Sequence, residues 1–190
     1  MIKLRTDIAA EPQPQVQRAG KRNGMPLMRV YVNHRTEEQT DEPEEGGDPS
    51  VRTVYVADFI ECESEKTTAA DIAREAVEQA IREHDASDAV NRFTIGGVPM
   101  WLDKSTRTGL RMRLDAEDNA GKTETTLWYG RYSVMLSVRQ AMEMLLELEL
   151  YASRCYDRTQ EHLAAVAAMD SPEQLLAYDY TTGYPEMLEF

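Results

Sequence analysis

SVRQAMEMLLELELYASRCYDRTQEHLAAVAAM, residues 137–169, is the stretch around which the rest of the chain must be arranged. Its periodicity predicts one helix of about 32 residues, about 48 Å long at 1.5 Å per residue. Ser137 is placed to cap its start, and Gln140 three residues on completes a capping box. Val138, Ala141, Met142, Leu145, Leu148, Ala152, Cys155, Tyr156, Leu163 and Val166 fall on one stripe. Met144, Leu146, Leu150 and Tyr151 widen the apolar surface in the middle third, so other elements or a partner chain must enclose it.

One position inside the stripe is acidic. Glu149 lies about 20° from Val138 on the helical wheel, between Leu145 and Tyr156. A carboxylate there must be paired, because an isolated buried charge costs several kcal/mol. The partners are sought in DKSTRTGLRMRLDAED, a helix capped by Asp103, where Arg107 and Arg111 share a face with Leu110 and Leu114. A general acid with a raised pKa is one reading of Glu149. The structural reading, an ion pair with Arg107 or Arg111 holding two helices in register, is preferred.

The other elements follow from turn and patterning signals. LMRVYVN (27–33) and VRTVYVADFIEC (51–62) read as strands, with the acidic stretch between them, about residues 36–50, as a disordered hairpin connection. Residues 1–26 are polar, carry Pro12, Pro14 and Pro26, and read as a flexible arm. Thr68 opens a helix to about His84, and Gly96-Gly97 marks a tight hairpin. A second hairpin is expected about Gly130, and Ser171-Pro172 opens a short helix. The expected fold is α+β: one domain over 27–190, an antiparallel sheet of short hairpins with helices on one face, and the 137–169 helix as spine.

With 21 basic and 34 acidic residues the formal charge is −13, which disfavours phosphate backbones and anionic membranes. Cys62 and Cys155 have no metal-ligand spacing, and no run of about 20 apolar residues is present to span a bilayer. Gly121-Lys122-Thr123 looks like the end of a phosphate loop, but Ala116 stands where its first glycine is required. His34, His84 and His162 are scattered, and His162 is expected to be packed or hydrogen-bonded at the surface. Asp179 is expected to bond backbone amides in the terminal turn. No catalytic, cofactor-binding or metal site is assigned, and no cofactor is expected.

DASDAVNRFTI, MWLDKSTRTGLRMRL, TTLWY, LELELYASRCYDRTQEH and YDYTTGYPEML, in that order, carry a resemblance. Over residues 85–190 the chain resembles an uncharacterised-domain family of tail-fibre or tail-region proteins from phages and prophages of gut bacteria. The acidic stretch at 37–48 has no match in the family pattern. The resemblance implies a non-enzymatic structural or assembly role through protein–protein contacts, in the cytoplasm of a bacterial host or on the virion. Its partners would be further copies of the chain or other tail proteins, with no nucleic acid and no membrane. Leu146 and Leu150, with Tyr178, Tyr180 and Tyr184 of the aromatic tail, are the expected interaction surface. A small enzyme such as a cell-wall hydrolase, or an acidic DNA-mimic inhibitor, are the alternatives.

Overall fold

The computed structural model describes residues 1–41 and 50–190. In chain order the elements are β1 (Arg5–Ala9), β2 (Val16–Arg22), β3 (Met25–Asp41), β4 (Ser50–Glu63), α1 (Ala69–Asp85), β5 (Phe93–Ile95), β6 (Val98–Met100), α2 (Lys104–Asn119), β7 (Glu124–Tyr129), β8 (Tyr132–Ser137), α3 (Val138–Ala167), α4 (Pro172–Ala177) and β9 (Leu188–Glu189). The fold is α+β, as the patterning predicts. Two compact units take the place of the expected single domain: residues 1–81 with 162–181, and residues 82–161 with 182–190. The boundary falls inside both α1 and α3.

In the first unit, the β-branched and aromatic runs around Val30 and Val56 form the central strands of an antiparallel sheet ordered β1-β4-β3-β2. Val30, Val32 and Ile60 turn one side chain row towards Ile72, Val77 and Ile81 of α1, and Val166, Leu175 and Leu176 close the same core. On another side of the sheet Tyr31, Ala57 and Phe59 pack together. Arg5 and Arg29 cover the Phe59 ring, with guanidinium carbons 5.3 and 5.2 Å from its centroid. Arg29 also holds Glu61 at 2.8 Å, and that bond draws the Glu61 carboxyl below its ordinary pKa.

Two expectations are overturned in this unit. Residues 1–26 are no flexible arm, since Ile8 pairs with Val56 and Val16 with Val30 in the two outer strands. An outer strand is held by its backbone ladder, so its side chains can stay polar and leave no alternation to read. The acidic stretch is likewise ordered at both ends, with Thr36 opposite Tyr55 and Asp41 opposite Ser50. Arg52 offsets the acids there, 3.2 Å from both Gln39 and Asp41. Residues 42–49, the middle of the expected disordered loop, lie outside the described residues.

The second unit is built on α3. Ser137 and Gln140 form the capping box, each accepting the other's backbone N–H at 3.1 Å. Val138, Ala141, Leu145, Leu148 and Cys155 are buried along the expected stripe, and Met144 and Tyr151 are buried beside it. Tyr156 departs from the stripe and stands exposed at its margin. Leu114 and Leu127 pack on the first half of this face, and Val90 and Phe93 on the next turns. Gly96 and Gly97 have φ of +56° and +79°, the pair of left-handed conformations that a two-residue hairpin requires. The β5–β6 and β7–β8 hairpins are antiparallel, as expected. The parallel pairing of β9 with β5 is unforeseen, because a two-residue strand carries no pattern of its own.

Candidate functional site on the long helix

Asp103 accepts the backbone N–H of Thr106 at 2.7 Å, which starts α2 so that Arg107 faces inwards one turn later. Arg107 is only 7% exposed. Its Nε donates to Glu149 at 2.6 Å, one terminal nitrogen donates to the Leu102 carbonyl at 2.7 Å, and the guanidinium lies 5.5 Å from the Trp101 ring centroid. The expected ion pair is therefore present, with its burial inverted. The Glu149 side chain is 55% exposed, and the buried charge is the arginine. A guanidinium tolerates this better than a carboxylate, because its long apolar stem packs while its planar fork reaches several acceptors. Arg111 takes no part in the pair and bonds Asp115 one turn along its own helix at 3.1 Å.

Around this ion pair the surface is open. An open cavity of about 270 Å³ separates Arg111 and Met112 from Leu145, Leu146 and Glu149. Leu146 and Leu150 are 53% and 56% exposed, so α3 shows solvent the flank that sequence reasoning assigned to interaction. Met112, unremarked in the sequence, is exposed on the facing side of the cavity. Its signal was the helical register of α2, which places it away from Leu110 and Leu114.

The aromatic tail does not extend that surface. Tyr178 and Tyr180 are half-buried against the core of the first unit, and Tyr184 against Val90 and Phe93 in the second. Each of these three rings, assigned to the interaction surface on the sequence, is partly covered within its own unit, whereas Leu146 and Leu150 stand more than half exposed. Tyr178 adds a hydrogen bond, its hydroxyl 2.7 Å from His162 Nδ1. His162 itself is fully buried, deeper than the surface position expected. Asp179 accepts the backbone N–H of Thr181 at 3.0 Å and the Thr181 hydroxyl at 2.7 Å, and these bonds lower its pKa.

A second apolar groove of about 240 Å³ lies between the two hairpins, lined by Phe93, Val98, Leu127 and Tyr132, with Trp128 standing exposed at its edge. Gly121 follows α2 and leads into β7, so Lys122 faces no helix N-terminus and bonds Glu117 at 3.2 Å. Among the described residues, no three His, Cys, Asp or Glu side chains group as metal ligands. No described helix is long and apolar enough to cross a membrane. The thiol of Cys62 is pushed up to about 11 by burial and then by Glu75, which makes it a poor nucleophile. Burial likewise raises the pKa of Cys155. No family model, curated protein or solved structure matches this chain.

Proposed function

We propose that the protein is a non-enzymatic structural or assembly component that acts through protein–protein contacts, the first of them with further copies of itself. The tail-region resemblance over residues 85–190 supports this reading from the sequence side and suggests a phage or prophage origin. The observation that carries it is the exposed pair Leu146 and Leu150 on the face of α3 turned away from the core, beside the Met112 cavity. Two leucines left about half-exposed on adjacent turns, with Met112 exposed across the cavity, form an apolar patch of the kind that marks a binding surface.

Sedimentation velocity over a concentration series from about 1 to 100 µM tests the reading, because association by mass action shifts with protein concentration. The expected outcome is a species of twice the 21.6 kDa chain mass that grows with concentration. A chain that sediments as 21.6 kDa throughout the series would reject self-association.

A further inference from the structure

The exposed face of α3 has a regular seam. Arg139, Glu143, Leu146, Leu150, Ser153 and Asp157 are all exposed, and they are spaced alternately four and three residues apart. That is the spacing of a coiled-coil seam, in which a side chain returns to the same line every 3.5 residues. The seam runs parallel to the buried stripe of Ala141, Leu145, Leu148 and Cys155, on the outer side of the same helix. Its two leucines are in the middle and its charges are at the ends.

The order of the charges decides which partner fits. In an antiparallel pair of these helices centred between Leu146 and Leu150, Leu146 meets Leu150 of the second copy. Glu143 then meets Ser153, and Arg139 meets Asp157. Each charge on the seam itself then faces an opposite charge or a hydroxyl; of the two exposed glutamates flanking the leucines, Glu149 is held by Arg107 of its own chain at 2.6 Å, and Glu147 meets no opposite charge across the axis. In a parallel, in-register pair each residue meets itself, so Arg139, Glu143 and Asp157 all oppose like charges, which is destabilising. Within the chain Arg139 already holds Glu143 at 2.9 Å, so an incoming Asp157 would complete a charge cluster instead of meeting a bare guanidinium.

We infer that a second copy of this chain docks on the outer face of α3, the two helices crossing antiparallel about a two-fold axis between Leu146 and Leu150. The inference rests on the self-association reading above and specifies its geometry. A two-fold interface uses the same patch on both copies, which a seam complementary to its own reverse satisfies. The cavity beside Leu146 leaves room for an apolar side chain from the incoming helix. A seam with only two leucines per copy is short, so the expected dissociation constant is on the order of micromolar.

Charge reversal tests the orientation in the full-length chain, with circular dichroism to verify unchanged helix content. Arg139→Asp alone replaces two attractive pairs with two repulsive ones and is expected to weaken the dimer about tenfold. Asp157→Arg alone should do the same. The double variant Arg139→Asp/Asp157→Arg restores both pairs in the antiparallel arrangement only, and should return the dissociation constant to within about threefold of the natural chain. Leu146→Lys should abolish the dimer and leave the monomer folded. A dimer that ignores all of these changes would overturn the seam while leaving self-association standing. A chain that never dimerises would overturn both.

Discussion

Arg107 and Glu149 show how one ion pair can divide unequally between core and solvent. The guanidinium is buried among the Leu102 carbonyl, the Trp101 ring and the carboxylate, whereas Glu149 keeps water on one side. Removing Arg107 takes away a buried stem, two hydrogen bonds and a ring contact. Arg107→Ala is therefore expected to cost about 2–4 kcal/mol in urea unfolding. Glu149→Gln keeps an acceptor for the same nitrogen and should cost no more than about 1.5 kcal/mol. Equal losses in the two variants would mean that the carboxylate is as buried as the sequence pattern alone suggests. Glu117 offers a second residue-level test. The Thr125 hydroxyl, followed by Arg113 and Lys122, holds its carboxyl down to about 2, from an ordinary 4.5. A lowered folded-state pKa stabilises the protein above the unfolded value, and that stability is lost as pH falls. Acid unfolding of the natural chain should thus carry a contribution between pH 4.5 and about 2 that Glu117→Gln removes. Identical acid limbs for the two proteins would reject it.

At the scale of the element, α3 has two faces that differ in exposure. Leu148 is fully buried and Leu146, two residues before it, is half in water. Leu148→Ala is expected to destabilise by about 2–5 kcal/mol, and Leu146→Ala by less than about 0.5 kcal/mol, measured on the monomer. Comparable effects at both positions would show that something covers the outer face. The start of the helix depends on the reciprocal bonds of Ser137 and Gln140. Ser137→Ala removes the side-chain acceptor for the Gln140 amide and is expected to lower stability by about 1 kcal/mol, read as a shift in the thermal midpoint. The outer strands β1 and β2 make the complementary point, because a backbone ladder, helped by Val16 packing on the core, can order a largely polar segment.

For the whole molecule, neither compact unit is continuous in sequence. The first takes its sheet and most of α1 from residues 1–81, and it fills its core with Val166, Leu175 and Leu176 from 162–181. A fragment of residues 1–81 leaves Val30, Ile72 and Val77 without those partners. It is expected to lack cooperative thermal unfolding, whereas the full chain unfolds cooperatively. A fragment with a sharp transition and dispersed amide resonances would show that the sheet and α1 suffice.

Local rules made the helices and hairpins legible. The α3 capping box, the Asp103 cap, the Gly96-Gly97 turn and the stripe of Ala141, Leu145 and Leu148 each involve residues within a few positions of one another, where the backbone's own geometry dictates the outcome. The same periodicity placed Leu146 and Leu150 on the flank opposite the core and paired Glu149 with the α2 arginines. What the sequence could not settle was which side of each contact would be covered. Arg107 over Arg111, a buried arginine facing an exposed glutamate, and tyrosines folded back onto their own cores all depend on what lies across the gap. The outer strands at residues 5–22 and the parallel β9 depend on it too, since a backbone ladder joins segments far apart in the chain and accepts almost any side chain. Spacing along a chain specifies which face a residue occupies, whereas burial is specified only when a distant segment arrives to cover that face.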